Sequence, residues 1–100
     1  MIKLAAAIVV IQTPLGGPQN IGINASLQEK LKVKGVIRVK RGAIRNRLKV
    51  ELLSLEGDTG KELRVSPAIA KQFGLSDLEK VIVQYNHKTN ILRIRGLNAK

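Results

Sequence analysis

The sequence contains no cysteine and no tryptophan, and its only large aromatic side chains are one phenylalanine and one tyrosine. Without cysteine the chain can form neither disulfides nor thiolate metal sites, which fits a reducing compartment, and we expect a cytoplasmic protein. Its 100 residues are enough to fold around one hydrophobic core without cross-links. Because valine, isoleucine, leucine and alanine supply that core, strands packed face to face are favoured. We therefore expect a mainly β domain spanning residues 1–100.

Long hydrophobic runs are also missing. The longest, Leu4 to Ile11, is interrupted by Gln12 and Pro14. A membrane-spanning helix needs about 20 apolar residues, and no small-residue cleavage site of a signal peptide follows the run. We interpret it as a buried strand and expect no membrane association.

Acidic residues are scarce, and the formal net charge is +11. Residues 30–49 hold nine of the 18 lysines and arginines and none of the seven acidic residues. Residues 80–100 add five basic residues and again no acid. Such an uneven distribution bears on the choice of partner and on solubility, whereas it says little about the fold.

The chain repeats itself, with halves of about 1–47 and 48–100. A shift of 42 to 44 residues matches apolar positions while the polar residues between them differ. The matched pairs are Ile8/Val50, Val10/Leu52, Ile21/Leu63, Ile23/Val65, Leu27/Ile69, Leu31/Phe73, Val33/Leu75, Ile37/Val81, Val39/Val83, Leu48/Leu92 and Val50/Ile94. We predict two copies of one β-β-α-β unit.

The first copy predicts a strand from Lys3 to Gln12, a turn over 14–18 and a short strand through Ile21 and Ile23. Ser26 and Glu29 have the spacing of a capping box, which predicts a helix reaching about Val33. A strand through Ile37 and Val39 follows, and we expect a loop over 41–46.

The second copy begins with the alternation of Leu48, Val50 and Leu52, followed by a turn over 56–60 and a strand through Leu63 and Val65. A hydroxyl N-cap at Ser66, with Pro67 at the first helical position, predicts a helix that ends at Gly74. Strands over 81–85 and 92–94 complete the copy, joined by a polar loop over 86–90.

The second copy also carries a recognisable pattern. Its residues are Asp58-x-Gly60-x-x-Leu63-Arg64-Val65-Ser66-Pro67, then Gly74-Leu75 and Val81-Ile82-Val83. This pattern resembles the double-psi β-barrel of the amino-terminal domain of valosin-family AAA ATPases, within the cradle-loop group that includes AbrB-like factors. The resemblance covers residues 48–95, and residues 4–47 through the repeat. Where the family usually has Gly-Asp, this sequence has Glu79-Lys80. The resemblance implies a six-stranded barrel with pseudo-twofold symmetry and two short helices.

Barrels of this group serve different functions, so function must come from the residues. The chain has no Gly-Ser pair for self-cleavage to a pyruvoyl group, and its only aspartates are Asp58 and Asp77. Disulfides and aromatic sugar platforms are absent as well. His87 is a lone histidine, and Gly16-Gly17 and Gly57-x-x-Gly60 lack the Lys-Ser/Thr of a phosphate-binding loop. We expect no enzyme, no metal site and no cofactor.

The basic residues are the strongest functional signal. We expect Arg38 and Lys40 on the outward face of one strand, Arg47 and Lys49 on the next, and Arg41 and Arg45 in the loop between them. The candidate nucleic-acid-binding residues are Lys30, Lys32, Lys34, Arg38, Lys40, Arg41, Arg45, Arg47, Lys49, Arg93 and Arg95.

These residues predict a surface that neutralises backbone phosphates of DNA or RNA. Stacking platforms for single strands use several exposed rings, and we expect Tyr85 to face the core, so binding should be weakly sequence-specific. Three alternatives stay open: a docking adaptor for an acidic protein or peptide, as the ATPase barrels suggest, an engineered or reconstructed scaffold without a specific ligand, and a merely solvated face. A homodimer is also compatible with the sequence.

Overall fold

The computed structural model describes residues 2–11, 19–33, 35–53 and 61–96, and it contains a closed barrel of seven strands with two short helices. The elements are β1 Ile2–Ile11, β2 Asn20–Asn24, α1 Ala25–Leu31, β3 Val36–Arg41, β4 Ile44–Leu53, β5 Glu62–Val65, α2 Pro67–Phe73, β6 Lys80–Asn86 and β7 Ile91–Gly96. The predicted turns over 14–18 and 56–60 lie outside the described residues.

The strand order around the barrel is β1-β5-β2-β4-β3-β7-β6, and β6 closes onto β1. Each half pairs its first strand in parallel with the second strand of the other half, as β1 with β5 and β4 with β2. The second strands, β2 and β5, pair antiparallel between them. The two halves are therefore interleaved around one barrel and share its core.

The expectation of six strands was wrong. β7 inserts between the third strands of the two halves, parallel to β3 and antiparallel to β6. The predicted strand through Leu92 and Ile94 thus enters the barrel and hydrogen-bonds to a neighbour on each side. It leaves neither β3 nor β6 with an unpaired edge.

The repeat is confirmed in its order of elements but not in the register of its first strands. Val9 pairs with Leu63, and Val50 pairs with the equivalent Ile21, so the first strands correspond at a shift of 41 residues. The predicted match of Ile8 with Val50 joins an outward residue to an inward one. A slip of one residue reverses the faces because side chains alternate along a strand.

The predicted loop over 41–46 was also wrong. Strand β3 continues to Arg41, β4 begins at Ile44, and only Gly42 and Ala43 form the turn. Gly42 has a φ of 60°, which suits a two-residue hairpin turn with glycine in first position. The segment resembled a loop because its outward positions carry charge and its inward Asn46 is polar.

The helix ends are set by side-chain and glycine caps. Ser66 caps α2 through its Oγ, which accepts a hydrogen bond from the Ile69 N–H at 3.3 Å, and Gly74 ends the helix at a φ of 65°, as predicted. The predicted cap of α1 at Ser26 was wrong. The buried Asn24 caps it instead, and its Oδ1 accepts from the N–H groups of both Leu27 (3.2 Å) and Glu62 (3.0 Å). This asparagine therefore ties α1 to β5 of the other half.

The core is aliphatic apart from Phe73 and Tyr85, which are both buried. Val39, Val83, Leu48 and Leu92 point inward as the alternation predicted. Within the described part of the chain, no helix is long and apolar enough to cross a membrane.

Candidate nucleic-acid interface

The β3–β4 hairpin places four basic side chains on its outward face. In its antiparallel register Arg38 lies opposite Arg47, and Lys40 lies opposite Arg45. Both arginines of the first pair are exposed, as is Arg45, while Lys40 is half-buried. Adjacent strands are about 4.8 Å apart, so like charges are held side by side. The predicted grouping of Arg38 with Arg47 is confirmed, and Arg45 belongs to the strand and not to a loop.

Strand β7 extends these rows on the other side of β3. Its parallel register places Arg93 beside Lys40, so that Arg45, Lys40 and Arg93 form one row across three strands, about 10 Å wide. Arg95 follows two residues later on the same face and is exposed. Lys49 is exposed on β4, opposite Val36. We call this surface the basic face; it comprises Arg38, Lys40, Arg45, Arg47, Lys49, Arg93 and Arg95.

The remaining candidates do not belong to the basic face. Lys30 stands in the last turn of α1 and Lys32 is its C-cap, and this helix packs against β1, β2, β4 and β5. Lys34 lies outside the described residues. Arg41 has the parity of the inward residues of β3, and its guanidinium donates to Glu79 Oε2 and to the Gly74 carbonyl, both at 3.2 Å. We conclude that Arg41 joins the hairpin to the end of α2.

None of the acidic side chains of the described residues forms an ion pair with the basic face, although Glu51 lies on the outward side of β4, two residues after Lys49. Glu79 pairs with Arg41, and Glu62 pairs with Arg64 at 3.1 Å. Asp77 accepts from the Ile11 N–H at 2.9 Å. Glu51 accepts from Asn20 Nδ2 at 2.8 Å, and Glu29 is exposed on α1. Within the described ranges, none of the seven side chains of the basic face forms an ion pair or a side-chain hydrogen bond.

Three shallow clefts adjoin one another across this surface. Arg38 and Arg47 line two of them, of about 320 and 430 Å³. The larger reaches Thr89 and Asn90 of the β6–β7 turn, and Thr89 also lines the third cleft, of about 350 Å³, together with Arg93. These clefts thus extend across the basic face from the β3–β4 hairpin to both sides of the β6–β7 turn.

The β6–β7 turn over 87–90 is held by asparagine side chains. Asn86 Oδ1 accepts from the Lys88 N–H at 2.9 Å and from the Thr89 N–H at 3.4 Å. Asn90, at a φ of 59°, accepts from the Tyr85 hydroxyl at 2.5 Å and donates to the Val36 carbonyl at 2.9 Å. The turn is therefore fixed against β3.

Sequence reasoning missed Thr89 and Asn90 as part of this surface. Only the parallel pairing of β3 with β7, between residues far apart in the chain, brings the turn beside Arg38. The asparagines on either side were the available signal, since such residues stabilise turns through local hydrogen bonds.

The other titratable groups behave as structural residues. Tyr85 faces the core, as predicted, and burial raises the pKa of its phenol. The His87 ring is exposed and meets the Tyr85 ring edge-on at 4.7 Å. In the described part of the chain, no group of three histidine or acidic side chains could hold a metal ion.

Neither a protein-family model, nor a curated protein, nor a solved structure matches this chain. A function must therefore be inferred from the basic face and the residues around it.

Proposed function

We propose that this protein is a non-enzymatic module that binds nucleic acid through backbone phosphates on the basic face. One observation carries the proposal: seven cationic side chains share one outward surface, in rows fixed by strand register, with no acidic partner among the described residues. Solvated protein surfaces ordinarily mix both signs of charge. Positively charged side chains that are held close together bind phosphates and release counterions from the nucleic acid.

The mode of binding follows from the aromatic residues. Phe73 and Tyr85 are buried, so neither ring is available as a stacking platform for unpaired bases. Arginine and lysine on a sheet surface contact phosphates without reading sequence. We therefore propose duplex DNA or structured RNA as the ligand, with little sequence specificity, in the cytoplasm.

The test is a fluorescence-anisotropy titration against labelled duplex DNA, structured RNA and single-stranded DNA at several salt concentrations. A variant with Arg38→Gln and Arg47→Gln is compared with a charge-matched control, Lys71→Gln with Lys80→Gln. Lys71 is exposed on α2, and Lys80 is exposed at the start of β6.

Each phosphate contact contributes about 0.9 to the slope of log K against log salt for duplex DNA. We expect the arginine variant to lose about one unit of slope if both side chains contact the same phosphate and about two if they contact different ones, and the control to keep the slope of the unsubstituted protein. Equal losses in both variants would contradict a localised surface, and no binding at low salt would remove the proposal.

We further propose that the barrel is of the double-psi type. Its support is the interleaved topology, in which each half supplies the parallel partner for the other half's first strand. The added strand β7 departs from the six strands of that type. A crystal structure would test this, because it would show whether the connection from β1 to β2 and the connection from β4 to β5 cross.

A second candidate function, docking of an apolar peptide or protein, is favoured by the outward face of β1. Ile2 is 53% exposed, Leu4 61% and Ile8 39%, and the exposed Ala6 lies between them. We call these four residues the apolar face. Binding through this surface should resist salt, whereas phosphate binding should weaken with it. A partner retained at high salt and released by Leu4→Ser would favour this function.

A further inference from the structure

Within the basic face, Arg38 and Arg47 stand apart because they face each other directly across β3 and β4. Directly opposed like charges destabilise a sheet. Neither guanidinium has an acidic partner in the described part of the chain, and both line the same cleft of about 430 Å³. An anion bound between them would convert this repulsion into two charge-assisted hydrogen bonds.

A residue with a hydroxyl group also lines this cleft. Thr89 lies in the β6–β7 turn, and it lines the cleft together with Asn90. The Asn90 side chain already bonds to Tyr85 and to the Val36 carbonyl, and the Asn90 carbonyl accepts from the Arg38 N–H at 3.1 Å. These bonds hold Thr89 at a fixed place relative to β3, so little ordering is needed when a ligand binds.

An apolar side chain completes the cleft. Val36 lines it and is 56% exposed. The other outward residues of β3, Arg38 and Lys40, are charged, so an exposed valine at this position is unusual. A cleft of this volume is within the range that accepts a small ligand. An exposed valine next to two guanidiniums offers a surface for a sugar or a base attached to the phosphate.

We propose that this cleft is a phosphate-binding subsite, in which the Arg38 and Arg47 guanidiniums and the Thr89 hydroxyl contact one phosphate group. The inference rests on the proposed function and deepens it, because it assigns one phosphate of the ligand to a defined position. The rest of the basic face then acts through long-range charge. The same chemistry would accept a free phosphate or the phosphate of a nucleotide, and the experiment separates these sources.

The experiment measures the midpoint of thermal unfolding, Tm, in potassium phosphate and in potassium chloride of equal ionic strength. A ligand that binds only the folded state raises Tm. We expect phosphate to raise Tm, and Arg38→Gln or Arg47→Gln to abolish most of that rise. Each of these variants should have a higher Tm than the unsubstituted protein in chloride, because the like-charge contact is gone. Thr89→Val should reduce the rise without changing Tm in chloride.

Lys71→Gln serves as the control, since Lys71 is exposed on α2 and lies outside both the basic face and this cleft. It should keep the full phosphate response. If Lys71→Gln loses as much as Arg38→Gln, or if phosphate does not raise Tm, the subsite is refuted.

Adenosine monophosphate and adenosine distinguish the sources of the phosphate by titration calorimetry. Binding of the nucleotide at least about tenfold tighter than inorganic phosphate would identify a nucleotide subsite that uses Val36, because one additional favourable contact is worth that factor. Equal affinities would identify a free-phosphate site, and binding of adenosine alone would overturn the assignment. If neither phosphate nor the nucleotide binds at this cleft while DNA still binds in a salt-dependent way, the subsite is refuted and the proposed function stands.

Discussion

The basic face and the apolar face include positions that the repeat makes equivalent, and yet they have opposite chemistry. Arg47 paired with Arg38 in the β4–β3 hairpin corresponds to Ala6 paired with Ile82 between β1 and β6. The inward residues of the same strands, such as Val39 and Val83, are buried in both halves. The inward positions thus carry the fold, which is shared, and the outward positions are free to differ.

A second row shows the same difference. Arg45 opposite Lys40 corresponds to Leu4 opposite Gln84. Substitutions at exposed positions of this kind usually change stability by less than about 0.5 kcal/mol. The barrel therefore does not require the charge of the basic face, and we propose that this charge serves the binding of a ligand.

The largest expected effect concerns the buried inward positions, which the two halves share. Ile21→Ala and Leu63→Ala remove equivalent buried side chains from β2 and β5. Each should lower the free energy of unfolding by about 2–5 kcal/mol, because the deletion loses burial and leaves a cavity. Urea denaturation of both variants checks this. A cost below about 1 kcal/mol in one half would show that the halves do not contribute equally to the core.

The next effect tests whether the difference in outward residues is sufficient for binding. Ala6→Arg with Ile82→Arg places an arginine pair at the position equivalent to Arg47 and Arg38. We expect binding of duplex DNA to gain about one to two units of salt slope, since each new phosphate contact adds about one. Anisotropy titrations at several salt concentrations measure it. An unchanged slope would mean that the basic face needs features beyond charge at these positions.

A smaller effect concerns Tyr85, whose pKa is raised by burial. The neutral phenol is favoured in the folded state, so its contribution to stability is fully present below pH 10 and is lost as the pH rises through the raised pKa. Tyr85→Phe should cost about 0.5–1.5 kcal/mol near neutral pH through the lost hydrogen bond to Asn90. The difference in unfolding free energy between the two proteins should shrink above pH 10. A difference that stays constant to high pH would contradict a buried phenol.

The smallest effect tests the apolar face. Leu4→Ser should change the free energy of unfolding by less than about 0.5 kcal/mol, because the side chain is already 61% exposed. It should also leave DNA affinity unchanged. A larger loss of stability, or a change of sedimentation coefficient, would show that this face is covered in solution.

Most of the fold follows from local pattern. The alternation of apolar residues predicted the strands, and Ser66, Pro67 and Gly74 marked the ends of α2 correctly. Register and strand order escaped prediction, because pairing between β3 and β7 joins residues about 50 positions apart. The cap of α1 was missed because Asn24 lies at the end of a strand, where its second partner, Glu62, belongs to the other half.

The sequence predicted which basic residues form the candidate site better than it predicted how they are arranged. Alternation with buried residues placed Arg38, Arg47 and Arg93 on the outward face. Arg41 was misassigned because a supposed loop hid its inward parity and its ion pair with Glu79. The β6–β7 turn could not be assigned to this surface, since nothing local in the sequence indicates that it lies against β3.

The interleaving of the halves also determines when the barrel can form during synthesis. Strand β1 leaves the ribosome well before its neighbours, because Ile8 pairs with Glu62 on one side and with Lys80 on the other. At about 5–20 residues per second, translation takes several seconds to deliver these partners. Throughout that interval β1 has both edges unpaired and apolar side chains on both faces, which is the condition that chaperones protect. The barrel therefore cannot close before β6 and β7 have been synthesised, and the order of the strands makes it so.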